Sequence, residues 1–553
     1  MTKTRQFSFT QVHRAAMVYI ALPLFGFFGG FLRWYYALVC CAALFVTLWF
    51  SARRDGLEPE YQKPFSYSPK TIGLVFLFCL LWSYLGGMNG FWYQSSDWNC
   101  RNAIYFDLIR FDWPVVYSAN GGALVYYIGH WLPPALAAKL FQALTGSAEA
   151  GLMAGRMLLW LWSSLGLTII LLLLFPVVGA DTGKKRVAAV FLFAFFSGMD
   201  SLGAVLLGTH ERLFLPGVLH LEWWNPGYQF SSITTCLYWV FNQAIVPWMI
   251  TLCFLVEDSP RNYVFYGVSC LLCGTLPCFG LAALMLVKAL MFCVKTVREK
   301  QARRILREFF SLQNLLALLI LFPVVAAYIL SNTFAGTAQE TQPAPEAESS
   351  VAVQAGEDAA PAEEAPRPAG IAERLFRSVA RSIRGIFSRE YIGRSLCIFL
   401  MFEAGFYLLC IFPDHWKDPL FYALGLSFFL IPYFHVGMSN DCCMRASVPG
   451  VFVLMVFVSR YLLAHLPGVF RRRRDGGKKD LLRTVSALVL AVCFLSGTVT
   501  PLVEVYRGVY HVVDSGTVCL EGRSLMTFDR EHIAGNFSCK QPEEQFFFRY
   551  LAG

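Results

Sequence analysis

The chain has 553 residues, 56% apolar and 15% charged, with a formal net charge of +9 at pH 7; its mean hydropathy is +0.50. Soluble domains carry ~25% charged residues, so this composition excludes an ordinary soluble globule. The apolar residues come in blocks long enough to cross ~30 Å of hydrocarbon as helices, the basic residues sit in short loops beside them, and the positive charge is therefore no sign of a nucleic-acid partner.

In lipid every backbone amide needs a partner within its own segment, so apolar blocks read as helices. The alternation of a transmembrane barrel is absent. Residues 1–14 are basic and lack a small-residue cleavage site, which reads as a cytoplasmic tail and not a removed signal peptide. Spans are expected at 15–33, 34–50 and 71–88. The loop between the second and third carries Arg53, Arg54, Lys63 and Lys70 and is expected on the cytoplasmic side. A long polar and aromatic stretch, 89–150, then falls on the external face.

Further spans are expected at 152–178, 187–207 and 231–256, with Lys184, Lys185 and Arg186 in a cytoplasmic loop and His210 to Phe230 in an external one. The apolar run 263–294 is interrupted by Gly274 and Pro277 and followed by six basic residues up to Arg307. A hairpin of two short helices puts both its ends inside, as the charges require. After a span at 312–331, residues 335–370 hold almost no large apolar side chain and cannot fold on their own. The segment 371–394, with Leu375, Val379, Ile383 and Phe387 at four-residue spacing, reads as an amphipathic surface helix. Spans at 395–412, 418–434, 447–465 and 482–502 complete the chain, with Arg471 to Arg474 as a cytoplasmic anchor.

The expected fold is all-α and polytopic, with about 13 transmembrane helices and external amphipathic helices. It divides into an N-terminal transmembrane module (1–334, including the loop 89–150), a disordered insert (335–370), a C-terminal module (371–502) and an external tail (503–553). Most of the 17 cysteines lie in apolar spans and act as small hydrophobes. Cys519 and Cys539, in the polar tail, can bridge if that tail is exported.

Three polar stretches on the external face carry candidate chemistry. The first runs from Ser96 through Asp97, Arg101, Asn102 and Asp107 to Asp112, with Ile104, Leu108 and Phe111 at helical spacing as a face that can lie on the membrane. A carboxylate at Asp97 can act as a general base or simply cap a helix. The second is Gly437 to Arg445. An Asn440–Asp441 pair with Arg445 at the mouth of a span is costly unless used or paired. Arg445 suits a phosphate, or closes a helix end on Asp441 at (i, i+4). The third holds His210, Glu211, Arg212, His220, Glu222, Trp223 and Trp224. His220 and Glu222 can contact a sugar or a metal, although His-x-Glu alone does not specify a metal, and the tryptophans can be interface-belt residues. Asn242 and Gln243 sit in an apolar span beside Pro247.

These residues resemble the GT-C integral-membrane glycosyltransferases, among them the aminoarabinose transferases and protein O-mannosyltransferases. The resemblance lies in Asp97 shortly after a span, a helix ending in Asp112-Trp113-Pro114-Val115, the stretch Tyr126-Tyr127-Ile128-Gly129-His130-Trp131-Leu132-Pro133-Pro134 leading to a second helix, and Arg156 opening the next span. It covers residues 87–170. The chain departs from the family in two ways: the loop follows the third span and not the first, and the family's Asp-Glu pair is Asp97-Trp98. Asp97 and Asp107 both stay candidates for the catalytic carboxylate. The resemblance implies transfer of a sugar from a polyprenyl-phosphate donor to an envelope glycan, lipid or protein at the external face of a bacterial inner membrane. Arg101, Asn102, His220, Glu222, Asn440, Asp441 and Arg445 would bind substrate. No spacing identifies a cofactor, and a divalent metal stays open. A lipid-substrate transporter or flippase, and an envelope polysaccharide polymerase or ligase, are the alternatives.

Overall fold

The computed structural model of the protein describes residues 6–53, 56–62, 65–117, 122–209, 213, 220–225, 227–332, 394–434, 441–469, 478–516, 522–527 and 537–553. The insert at 335–370, the surface helix expected before residue 394, His210 to Arg212, Gly437 to Asn440, Arg471 to Arg474 and Cys519 lie outside them.

The protein is an all-α, multi-pass membrane protein. Nine helices among the described residues are long and apolar enough to cross a bilayer, and three shorter apolar ones, Pro69–Leu85, Tyr263–Cys273 and Pro419–Tyr433, accompany them. Helix α1 (Phe9–Phe31) opens on a capping box, with Ser8 Oγ accepting from the Gln11 amide and Gln11 from the Ser8 amide. It runs through the core, with Ala16, Met17, Ile20 and Leu24 fully enclosed. Helix α2 (Trp34–Arg53) exposes Trp34, Leu38, Val39 and Phe45, a row suited to lipid.

Next come α3 (Pro69–Leu85), α4 (Trp98–Arg110), α5 (Leu132–Thr145) and α6 (Ala148–Val177). The apolar face of α4 does not lie on a membrane surface. Ile104 and Leu108 are fully enclosed, because α4 packs on α5 and α6 and is covered from its other side by the turn at Leu525–Thr527.

The span expected at 187–207 is two helices, α7 (Gly183–Ala194) and α8 (Asp200–Leu207), broken at 195–199. Buried Asp200 explains the break. Its carboxylate accepts from Ser197 Oγ at 2.9 Å and Thr500 Oγ1 at 2.6 Å, and the freed Ser197 carbonyl accepts from the Tyr407 hydroxyl at 2.8 Å. Broken backbone is tolerated at membrane depth only when neighbours re-satisfy it in this way.

Helix α9 (Ile233–Val256) is buried almost throughout. The expected hairpin is present as α10 (Tyr263–Cys273) and α11 (Thr275–Arg298), joined at Gly274. The half-height α10 leaves room that the loop after α4 fills. Gly129 approaches so closely that a β-carbon there would stand 2.7 Å from Cys273 Sγ. Helix α12 (Ala302–Phe309) precedes α13, which runs Leu312–Leu316, through a π turn at Ala317–Leu321, to Phe322–Leu330.

Beyond the insert lie α14 (Arg394–Leu400, a π turn Met401–Gly405, then Phe406–His415), α15 (Pro419–Leu430), α16 (Asp441–Ala446), α17 (Val448–Val469), α18 (Lys478–Gly497) and α19 (Val499–Ser515). The chain before and after the insert packs into one core. Trp248 stacks on Phe452 at 6.0 Å.

The stretch expected as a tail is stitched back onto the bundle. Strand β5 (Ser538–Lys540) joins the antiparallel sheet of β3 (Val116–Tyr117) and β4 (Gly122–Leu124), counting the short pair β1 (Phe7–Ser8) and β2 (Ser66–Tyr67) first. Cys539 is buried opposite Ala123. Basic residues gather at the opposite end of the bundle, where Lys288 pairs with Glu58 at 3.0 Å, Arg304 with Asp258 at 2.7 Å and Arg261 with Glu308 at 2.7 Å.

Candidate functional site

Two of the three polar stretches meet. Asp97 stands at the N-cap position of α4 but makes no side-chain cap hydrogen bond. Its Oδ2 instead accepts from Arg101 Nη2 at 2.9 Å, with Asp97 half exposed and Arg101 buried. On α16, Asp441 and Arg445 form the expected (i, i+4) pair at 3.2 Å. Arg445 lies within electrostatic reach of Asp441, Tyr126, Tyr127 and Asp97, and Tyr126 within reach of both Arg445 and Arg101. Burial works against the Arg445 charge, and Asp441 leads the groups that outweigh it, so the guanidinium is held more firmly protonated than usual.

The hairpin supplies the site's depth. A β-carbon on Gly274 would stand 3.3 Å from Gln243 Cβ, and Gln243 Nε2 donates to the Tyr126 hydroxyl at 3.4 Å. At 1.5 Å of rise per residue, α10 climbs ~16 Å and α11 descends ~20 Å from Thr275 to Lys288. The apex therefore stands about that far from the basic end, within the thickness of a bilayer. The N-terminus of α11, with its orphan amides and positive dipole end, begins at Thr275, whose side chain interacts with that of Tyr127. Gly280 holds α16 against α11: a β-carbon there would lie 1.9 Å from the Ala446 carbonyl oxygen. At this site two guanidinium nitrogens, Arg101 Nη1 and Arg445 Nε, are buried without a hydrogen-bond partner among the described residues. Such donors call for an acceptor.

Asn102 bonds Gln94 at 2.9 Å. Asp107 has a different environment from Asp97. It is fully enclosed, and its Oδ2 accepts from Tyr117 OH at 3.0 Å, Ser524 Oγ at 3.0 Å and the Leu525 amide at 2.9 Å. Burial raises its pKa, and these donors work to lower it. Asn440 lies outside the described residues.

The third stretch divides. His220 Nε2 stands 3.7 Å from Glu504 Oε1, which also faces Arg507 at 3.3 Å. Glu504 Oε2 accepts from Trp239 Nε1 at 2.8 Å. Trp239, Glu504 and Arg507 line a cavity of ≈ 20 Å³, room for about one water, walled also by Tyr93, Ser95, Trp98 and Tyr238. Glu222 is buried and accepts from Ser231 Oγ at 2.7 Å, Gln229 Nε2 at 2.9 Å and the Ser232 amide at 2.9 Å. Burial first, then the Asp200 carboxylate, push its carboxyl up to about 8. Trp223 is exposed, as an interface residue would be, whereas Trp224 is buried and donates its indole N–H to both Asp200 and Glu403, at 3.1 and 3.0 Å. Among the described residues no group of three His, Cys, Asp or Glu is arranged to hold a metal ion.

Sequence reading missed Asp200, Glu403, Glu504 and Arg507. The signal was present: an ionisable side chain inside an apolar run is a functional candidate by default. Glu403 sits in such a run, on a π turn of a kind frequent at functional sites.

No family model matches the chain, and no curated protein or solved structure shows significant similarity to it.

Proposed function

We propose that the protein is a GT-C-like glycosyltransferase of a bacterial inner membrane. It moves a sugar from a polyprenyl-phosphate-linked donor to an envelope glycan, lipid or protein at the external face, with the N-terminus cytoplasmic and the C-terminus external. The observation that carries this reading is the pair of buried guanidinium donors, from Arg101 and Arg445, that lack an acceptor among the described residues, both within electrostatic reach of Tyr126. A phosphate offers the acceptors they lack, and it would sit by the N-terminus of α11, where an anion is favoured. Half-exposed Asp97 is placed to take the acceptor's hydroxyl proton. As the sugar–phosphate bond breaks, charge grows on the leaving phosphate, and Arg445 and Arg101 stabilise it. His220 would contact the sugar beside Trp239. The gathering of basic residues at the other end supports the orientation.

The test is purified protein in nanodiscs with a panel of polyprenyl-phosphate sugars, reading release of the polyprenyl phosphate. Turnover lost in Asp97→Asn and Arg445→Ala is expected. Full turnover by Asp97→Asn would remove Asp97 from the base role. One observation favours a second reading, a transporter of lipid-linked substrates: among the described residues helices break at 195–199 and at Gly274, as transporter helices often do. Substrate movement across sealed vesicles without cleavage of the donor would select it.

A further inference from the structure

We propose that the basic end of the bundle carries a binding site for the phosphate group of an anionic phospholipid, built where α14, α17 and α18 terminate. This site is separate from the Asp97–Arg445 cluster and does not rest on the transferase reading. The ends of the three helices enclose a recess of ≈ 680 Å³ lined by Asp414, His415, Lys417, Arg460, His465 and Arg483 among others. That volume suits a headgroup and is far above what one ion needs.

The carboxylates of the recess are already engaged. Asp414 accepts from His465 Nε2 at 2.6 Å and from Arg483, whose Nε and Nη2 both stand at 2.8 Å from Oδ1. Asp418 caps the next helix through the Leu420 amide at 3.0 Å and faces His415 at 3.5 Å. Arg460 and Lys417 pair with no carboxylate among the described residues; Lys417 Nζ lies 4.6 Å over the Trp416 ring. With both histidines neutral, Lys417, Arg460 and Arg483 stand against Asp414 and Asp418, so the recess lining keeps a net formal charge of +1, and Arg460 offers a planar fork that matches phosphate oxygens.

The same helix ends explain why the phosphate belongs to a lipid. Leu409 and Phe412 on α14, and Leu481, Leu482 and Val485 on α18, are exposed within about a turn of the recess. They form apolar rows that acyl chains can cover, and exposed Trp416 is the kind of residue that sits at headgroup level. A basic recess continuous with a lipid-facing surface is how membrane proteins hold anionic headgroups. A free phosphate would use the cations and leave the apolar rows untouched.

The experiment uses the full chain in detergent, titrated separately with phosphatidylglycerol, phosphatidylcholine and soluble glycerol phosphate. Thermal stability and lipid retained in native mass spectrometry are the readouts. Phosphatidylglycerol is expected to raise Tm saturably and to remain bound, and the double variant Lys417→Gln, Arg460→Gln to bind it at least tenfold more weakly. Both substitutions are at the recess surface, so the lipid-free Tm is expected to stay close to that of the parent. Lys184→Gln with Lys185→Gln, basic residues elsewhere, serve as the control and should retain lipid normally. Equal retention by the Lys417/Arg460 variant, equal loss in the Lys184/Lys185 control, or an equal shift with phosphatidylcholine or glycerol phosphate would each overturn the assignment.

Discussion

Asp97 and Asp107 lie ten positions apart on one helix, and replacing each in turn separates chemistry from architecture. Asp107 Oδ2 holds the chain at 524–525 onto α4 through two hydrogen bonds, from Ser524 Oγ and the Leu525 amide, and accepts a third from the Tyr117 hydroxyl. Asp107→Ala removes the acceptor from all three donors. Hydrogen bonds to charged groups contribute ~1.5–3 kcal/mol each, and the alanine is relieved of the cost of burying a carboxylate. A net loss of ~3 kcal/mol for local opening corresponds to roughly 150-fold faster amide exchange over residues 522–527. Asp97 is half exposed, and its single ion pair with Arg101 is worth ~0–1 kcal/mol to stability. Asp97→Asn should therefore leave exchange at 522–527 unchanged while abolishing sugar transfer. Hydrogen exchange by mass spectrometry, run beside the transfer assay, reads both. Unchanged protection in Asp107→Ala would refute the clamp. Lost transfer with protection intact would move the catalytic role from Asp97 to Asp107.

Arg445→Ala should slow transfer ~100-fold or more, since it removes a donor aimed at developing charge, and Arg445→Lys should recover only part of it; equal rates across the three proteins would rule out phosphate holding. Gly280→Ala forces a β-carbon to within 1.9 Å of the Ala446 carbonyl oxygen, so a loss of ~1–3 kcal/mol is expected, with reduced transfer because Arg445 must shift; an unchanged Tm would show that α11 and α16 are not in fixed contact. His130 is fully enclosed and bonded to Ser163 at 3.0 Å, and burial pushes its pKa down to about 3. Below the unfolded pKa of ~6.5 only the unfolded chain takes up this proton, so its contribution to stability is present above that value and falls as pH drops toward 3. From pH 7 to 5 the cost is ~2 kcal/mol. His130→Gln should lose correspondingly less over that interval, and an equal loss would contradict the assignment.

Sequence patterning made the multi-span architecture legible because hydrophobic length is a one-dimensional property. It also located the break at Gly274, where charge on both flanks demanded a return to the same side. The break at 195–199 was not legible in that way. Phe195, Phe196 and Met199 continue the apolar pattern, and only the tertiary partners of Asp200, drawn from positions as far apart as 197, 224 and 500, explain it. The Asp441–Arg445 pair follows from helical spacing alone. The meeting of that pair with Asp97 and Arg101 depends on how α4 and α16 are placed by the hairpin between them, which no local rule encodes. The amphipathic reading of α4 failed for a related reason: its apolar face exists, but α5, α6 and a turn more than 400 positions downstream together enclose the helix.

The half-height helix α10 has a consequence for how the chain enters a membrane. A socket that stops partway through the bilayer would expose the polar apex around Gly274 to hydrocarbon unless something seals it at once. The seal, Gly129 and its neighbours, is made earlier in synthesis than the socket, so it is already part of the chain when α10 and α11 are made. The clamp on Asp107 comes last. In order of synthesis the plug thus precedes the socket, and the latch follows both.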